Sequence, residues 1–445
     1  MNLFLDFKSS KLTLDSFYSE MKRLLFGTEI KNLEKICLAV SGGSDSTALL
    51  ILTKEFFKKF RSETKIFCVT VNHNLRKEAL EEAYFVKKLC NQFGIIHEIL
   101  TWNHENIDTS NHIGKIENLA REARYNLISD FCDREKIKFL MTGHTWNDQL
   151  ETFEIRKNKG SSFIGMAGMS QVRSISENLK LLRPLLHFSK IHLQNFLNQK
   201  KIEWKNDPMN EMDEFIRVSV RKKIKKYDDQ KIKTLSDEIL KFGQQRRKIE
   251  IEAVDFLKNC DFSSLGYVSF ELNKFTSQPI DIQCEIIRRL LWNIGGKKYM
   301  IHLASDTLKN ILEEKIKTLA GCLIKIKKNS VFIFRENRNL NFINPTNANI
   351  YIFDNRFSVS INKKLDSISI ECIRRKDFEN VKKFLQKNNI KILSVVITTL
   401  PCIYQNNKIT YMHGIGVLTS DIINNEEKIF SSNFLNKSGL FDIFL

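Results

Sequence analysis

Ile36-Cys-Leu-Ala-Val40, followed directly by Ser41-Gly42-Gly43-Ser44-Asp45-Ser46-Thr47, is the stretch that decides the fold. The first five residues are a continuous apolar, β-rich run, as a strand buried on both faces requires. Helical spacing then runs from Ser46 to Phe60. Two adjacent glycines between strand and helix let the backbone turn tightly, with its amides free to converge on one concavity. The helix N-terminus adds partial positive charge and the serine hydroxyls add donors, so the segment reads as a cradle for phosphate. No Gly-Lys-Ser/Thr follows, which excludes a Walker A loop.

Outward from this turn, strands are predicted over Ile66–Val71, Ile95–Trp102 and Ile137–Thr142, and helices over Ala79–Phe93 and Ile116–Arg134. Strands alternating with helices predict an α/β domain with a Rossmann-like parallel sheet, over residues 1–221. Beyond Asn210 the pattern changes. Ser236–Asn259 reads as a long helix, 281–319 as mainly helical, and Cys322–Phe334 as a hairpin turning at Lys328-Asn329-Ser330, so 222–340 is expected to be a mainly helical middle domain. Residues 341–349 contain Pro345 and several asparagines without periodicity and read as a linker. A small α/β C-terminal domain is expected over 351–445, with strands near Phe357–Ile361, Ile368–Arg374 and Lys391–Ile397.

Charge narrows the partners. The 70 basic and 52 acidic residues leave a net +18. Residues 1–220 hold 32 basic and 28 acidic side chains, hence +4, and 221–445 hold 38 and 24, hence +14. A basic second half suits a polyanion, because each neutralised phosphate releases condensed counterions. The nine cysteines are scattered, without a C-x-x-C pair, and are read as reduced core thiols, neither a disulfide framework nor a zinc site. No apolar run approaches the roughly 20 residues of a membrane span, and no secretory signal is evident, so a cytoplasmic protein without a membrane partner is expected.

Three further segments could carry chemistry. Val71-Asn72-His73-Asn74-Leu75-Arg76 closes the second strand, at the sheet end where open α/β folds bind ligands, and places His73 there. Arg121 and Arg124 share a helix face, a pair suited to phosphate or to developing negative charge. Gly143-His144-Thr145-Trp146-Asn147-Asp148-Gln149-Leu150-Glu151-Thr152 follows the fourth strand, and a helix beginning near Thr145 would set His144, Asp148 and Glu151 on one face. Those carboxylates could bind a cationic substrate or Mg²⁺, or serve only the helix dipole.

In this order the four segments resemble the lysidine synthetases of the PP-loop ATP pyrophosphatases. Gly160–Met169 is similar to that family's flexible loop, Leu182-Arg183-Pro184-Leu185-Leu186 to its R-P-L-L segment, and Asp207-Pro208-Met209-Asn210 with Arg217 and Arg221 to its D-x-S-N…R…R element. Leu400-Pro401 through Met412-His413-Gly414-Ile415-Gly416-Val417 resembles its last domain. Departures are Asn147, where an acid is frequent, and Met209 in place of a common Ser.

The resemblance implies a ligase that uses ATP to adenylate C2 of the wobble cytidine in tRNA(Ile) with a CAU anticodon. Free L-lysine then displaces AMP to give lysidine, and the codon read changes from AUG to AUA. In that reading Ser41, Gly42, Gly43, Ser44, Asp45 and Ser46 hold the phosphates together with His73 and His144, and Asp45 helps carry Mg²⁺. Arg121 and Arg124 stabilise charge, and Asp148 and Glu151 receive the lysine ammonium groups or deprotonate the attacking one. Arg217 and Arg221 meet the nucleotide or the lysine carboxylate, and Lys157 and Lys159 close over the site. Both later domains are expected to bind tRNA. A homodimer is compatible with this reading, which fixes no oligomeric state. The alternative within the same class is a cytidine 2-thiolase, which would need sulfur-carrying cysteines.

Overall fold

The computed structural model describes residues 12–25, 32–75, 78–103, 113–161, 163–176, 179–205, 216–297, 300–301, 303–314, 316–340, 342–345, 349–362, 367–418, 430–435 and 440. The chain forms two compact units, one reaching to Arg247 and one over Lys248–Ile443.

The first unit runs α1 (Leu14–Leu24), β1 (Lys35–Ala39), α2 (Ser44–Lys59), β2 (Lys65–Asn72), α3 (Glu78–Gln92), β3 (Ile96–Thr101), α4 (Ile113–Arg134), β4 (Phe139–Thr142) and α5 (Trp146–Asn158). It continues through α6 (Phe163–Met166), β5 (Val172–Ser174), β6 (Lys180–Leu182), α7 (Lys190–Gln199), α8 (Ile216–Ile224) and α9 (Asp229–Leu257), which ends in the second unit. Its sheet has the order β3-β2-β1-β4-β6-β5, parallel except for β5. This is the expected parallel α/β sheet. β1 lies at its centre because Ile36, Cys37 and Leu38 are fully buried, packed into two clusters: one with α1, α2 and α7, the other with α4.

The order places a topological switch between β1 and β4. The chain leaves these adjacent parallel strands toward different parts of the sheet, which opens a crevice at their C-terminal ends. Both the Ser41–Thr47 turn and the Gly143–Thr145 turn sit there.

The second unit contains β7 (Asp261–Ser263), β8 (Tyr267–Glu271), α10 (Leu272–Thr276), α11 (Ile280–Ile294), α12 (Ser305–Glu313), β9 (Ile316–Leu319), β10 (Cys322–Lys327) and β11 (Ser330–Arg335). The hairpin predicted over Cys322–Phe334 is β10–β11, and it belongs to a five-stranded antiparallel sheet, β7-β8-β11-β10-β9. Then follow β12 (Ile350–Phe353), β13 (Phe357–Ile361), β14 (Ile368–Glu371), α13 (Phe378–Lys387), α14 (Ser394–Ile397), β15 (Cys402–Gln405), β16 (Lys408–Met412), β17 (Gly416–Val417) and β18 (Phe430–Phe434). These strands form two antiparallel sheets, β12-β13-β18 and β14-β15-β16-β17.

The strand expected over Lys391–Ile397 is not one. Residues 394–397 form the single helical turn α14, with Ile397 N bonded to Leu393 O at 3.1 Å. The β-branched run suggested a strand, but Val396, Ile397 and Leu400 are the residues that reach the core, a helical rather than an alternating spacing. Phe334 packs in the same core as Phe353 and Phe357, and Asp354 is held between the guanidinium groups of Arg335 (2.9 Å) and Arg356 (2.7 Å). Residues on either side of 341–349 therefore share one interior. Among the described residues, no helix is long and apolar enough to cross a membrane.

Candidate active site

The turn after β1 is built by two glycines with different tasks. Gly42 adopts φ +88°, a left-handed conformation that an L side chain resists. Gly43 is extended and caps α2 without a side-chain hydrogen bond, which leaves amides of the helix's first turn available to an anion. The loop is held from within. Ser41 N donates to Ser46 Oγ (3.2 Å), Ser46 Oγ donates to Gly43 O (3.1 Å), and Thr47 Oγ1 donates to Gly42 O (3.3 Å). Lys205 N pins it from outside, donating to Gly42 O at 2.9 Å. Ser41 is exposed while Ser44 and Thr47 are buried. The cradle is therefore open on one side and rigid on the other.

The facing wall comes from β4. Gly143 approaches the first turn of α2 so closely that a β-carbon there would lie 2.9 Å from Ser46 N and 3.0 Å from Asp45 C and O. α5 then starts where expected, with Thr145 as its N-cap. Asp148 closes a capping box: its Oδ2 accepts from Thr145 N (2.8 Å) and Thr145 Oγ1 (2.9 Å). Part of its predicted acidic role is thus spent on fixing the helix.

Glu151, 5 % exposed, lies one turn further along. Its Oε1 accepts from Arg221 Nε at 2.6 Å, while its buried Oε2 has no hydrogen-bond partner among the described residues. A second pair, Lys223 with Glu154 at 2.7 Å, ties α8 to α5 alongside the first. Trp146, Leu150 and Phe153 pack α5 onto Leu235 and Ile239 of α9.

Sequence reasoning missed two cations here. Lys190 sets its ammonium 3.9 Å from Asp45, and Asn147 Oδ1 accepts from the Lys190 backbone N at 2.9 Å, which anchors the start of α7. No local signal marks Lys190. The other is Arg183, buried at the end of β6, in a segment noted for its resemblance but given no task.

The charges are coupled. Burial raises the Asp45 carboxyl above its usual range; Lys190 opposes this and Asp148 adds to it. Burial likewise raises Glu151, against the pull of Arg221. His73, at the end of β2, accepts at Nε2 from the Arg124 guanidinium (3.1 Å from Nη2), and burial with that cation lowers its imidazole to about 4. His144, whose Nδ1 is 2.8 Å from Thr142 Oγ1, is also lowered to about 4, by burial first and then by Arg183. Both histidines are therefore neutral at physiological pH. Arg121 and Arg217 are exposed, Arg121 with its guanidinium 5.5 Å from the Tyr125 ring centre.

The remaining predicted residues are placed as follows. The Lys157 ammonium is directed to Glu238 on α9, 3.4 Å away, and Lys159 is exposed at the end of α5. The loop after α6 is tied down by Gln149, whose side-chain amide exchanges two hydrogen bonds with the Met169 backbone (2.8 and 2.6 Å), and by Arg156 and Arg246, which both donate to Gly168 O. Arg76 and Asp207–Asn210 lie outside the described residues.

Residues 13–227 match the PP-loop domain family. Among similar proteins, the tRNA(Ile)-lysidine synthase of Orientia tsutsugamushi is 28% identical over 373 residues, covering 80% of this chain and 82% of its own. That of Rickettsia akari is 28% identical over 425 residues, covering 91% and 95%. A U34-tRNA thiolase from Methanococcus maripaludis superposes with a TM-score of 0.45 at 16% identity, over 52% of this chain and 79% of its own.

Proposed function

We propose that the chain, whose residues 13–227 match the PP-loop domain family, is an ATP-dependent ligase that joins free L-lysine to C2 of the wobble cytidine of tRNA(Ile) bearing a CAU anticodon. The observation that carries this reading is the crevice itself. A helix start without a side-chain cap, suited to phosphate, lies across the β1–β4 switch from a buried carboxylate one of whose oxygens has no hydrogen-bond partner among the described residues. The similarity to lysidine synthases along nearly the whole chain supports the choice of substrate.

The C2 carbonyl oxygen attacks the α-phosphorus of ATP, the Pα–O–Pβ bond breaks, and diphosphate leaves. The lysine ε-nitrogen then attacks C2, gives up a proton, and AMP departs with the former carbonyl oxygen. Adenylation is needed because a bare cytosine carbonyl oxygen is a poor leaving group. The amides of Ser44–Ser46 hold the departing phosphates, where negative charge builds up. Glu151 Oε2 receives the lysine ammonium, with Asp148 beside it. Arg121, Arg124 and Arg217 balance the charge of the activated nucleotide, and neutral His73 and His144 act as hydrogen-bond partners rather than cations.

Mg²⁺ fits the same site. Among the described residues no three His, Cys, Asp or Glu side chains are grouped to hold a metal. Mg²⁺ bound mainly through phosphates, however, needs only one or two carboxylates. Asp45, with Asp148 near enough to raise its carboxyl, supplies that donor set. When bound, the ion would offset charge on the phosphates.

A thiolase reading meets an obstacle in the sulfur. Cys37, on β1 just before the loop, is fully buried, and burial pushes its thiol well up rather than toward a reactive thiolate. The test is incubation of the protein with ATP, labelled lysine and a tRNA(Ile) transcript, with CAU replaced by UAU as control. Lysine-dependent AMP release with label in the CAU transcript alone is expected. Equal label in both transcripts, or turnover only with a sulfur donor, refutes the reading.

A further inference from the structure

Among the described residues four arginines are 6 % exposed or less: Arg183, Arg289, Arg335 and Arg356. A buried guanidinium is costly unless a carboxylate compensates it. Arg289 has Glu285 at 2.6 Å, and Arg335 and Arg356 share Asp354 at 2.9 and 2.7 Å. Arg183 differs. Among the described residues no carboxylate pairs with it; its Nη1 donates to Ser170 O at 2.6 Å, and its buried Nε has no partner. Its guanidinium also shares a hydrogen bond with the Tyr125 phenol, and the charged groups that act on it most, Arg173 and Arg121, are themselves cations.

Burial lowers the guanidinium to about 10, so it is still charged at neutral pH. Its position is as informative as its isolation. Arg183 follows β6, which pairs in parallel with β4, so it lies at the sheet end that carries the Ser41–Thr47 turn and His144. It is also the charged group that most lowers His144.

We propose that Arg183 is a phosphate-binding residue of this site, reserved for a phosphate of ATP or of the tRNA backbone, which supplies the anion that the fold withholds. The inference rests on the reading of the site as one that takes both ligands. Arg183 thereby links phosphate arrival to two elements. Ser170 O ties it to the loop that Gln149, Arg156 and Arg246 hold, and its charge acts on His144, just before the start of α5.

The test uses the full chain and Arg183→Met. ATP affinity is measured by calorimetry without tRNA, tRNA affinity by filter binding without ATP, and the KM of lysine in the complete reaction. One of the two dissociation constants is expected to rise about tenfold or more, as loss of a hydrogen bond to a charged group requires. The lysine KM should stay within twofold. The ligand-free protein should melt no lower than wild type, because an uncompensated charge has been removed, and the affected ligand should stabilise it less. An effect on ATP alone assigns the nucleotide; an effect on tRNA alone assigns the RNA backbone.

Both affinities unchanged overturns the proposal, as does a change confined to lysine KM. A lower melting point with unchanged affinities likewise shows a structural arginine. Arg183→Lys keeps the charge and loses the planar fork, so an intermediate loss of the same affinity is expected even if Arg183→Met does not fold; an unaltered affinity overturns the idea. Wild type that binds ATP but makes no lysidine would sink the ligase reading while leaving the ATP measurement decisive for Arg183.

Discussion

Adding one methyl group at Gly143 tests whether the crevice works by backbone placement. The new β-carbon would sit 2.9 Å from Ser46 N and 3.0 Å from Asp45 C and O, where ordinary contact begins near 3.4 Å. All three atoms belong to the backbone of the phosphate turn, so no flexible side chain can swing aside. β4 cannot retreat either, since Thr142 is paired with Ala39 of β1. The strain must move the turn by about 0.5 Å, at an overpacking cost of about 1–3 kcal/mol. Displacement on this scale at a reacting centre lowers rate by about 10- to 100-fold. Gly143→Ala should therefore show that loss in kcat/KM for ATP–diphosphate exchange with CAU tRNA, with only a modest drop in melting temperature. Gly243→Ala is the matched control. It lies within α9 with nothing within 4 Å of its β-carbon, and should be active and slightly more stable, because alanine favours a helix by up to about 1 kcal/mol. Wild-type kcat/KM in Gly143→Ala would refute the argument.

Three further outcomes follow from the charges. Asp45→Asn should abolish ATP-dependent turnover yet raise the melting temperature at pH 7, because burial penalises the ionised carboxylate. Since its folded pKa is raised, that gain should shrink as pH falls through the raised value and close below 3.8; calorimetry showing a destabilised variant at pH 7 would contradict this. Glu151→Gln should raise the lysine KM about tenfold, whereas Glu154→Gln, which loses its pair with Lys223, should keep near-normal kinetics. Equal kinetics in the two variants would remove Glu151 from lysine recognition. His73 and His144, both lowered to about 4, should leave no inflection in kcat/KM between pH 6 and 8. They should instead erode stability as pH falls from 6.5 toward 4, where the unfolded imidazoles bind protons that the folded ones refuse; melts of a His73→Asn/His144→Asn double variant should show a shallower slope over that window.

What could be read from sequence depended on how local the cause was. β1, its two glycines and α2 are encoded within 25 residues, by an apolar run, a required left-handed turn at Gly42 and helical spacing, so strand, cradle and helix were all legible. The start of α5 was legible for the same reason, because Thr145 and Asp148 have capping-box spacing. The Lys391–Ile397 segment misled because β-branched composition is only a weak preference, and burial of Val396, Ile397 and Leu400 overrode it. Pairing was a different matter. His73 meets Arg124 51 residues away and Glu151 meets Arg221 70 residues away, and each was predicted as a free functional group. A sequence shows which side chains can carry charge, but not which charges the fold has already spent on one another. Among the described residues Glu151 keeps one oxygen without a hydrogen bond and Arg183 has no carboxylate partner, and those two features, of opposite sign, appear only in the folded chain. In a site that must hold a cationic amino acid and anionic phosphates together, charges that the fold compensates only in part are the ones available to bind them.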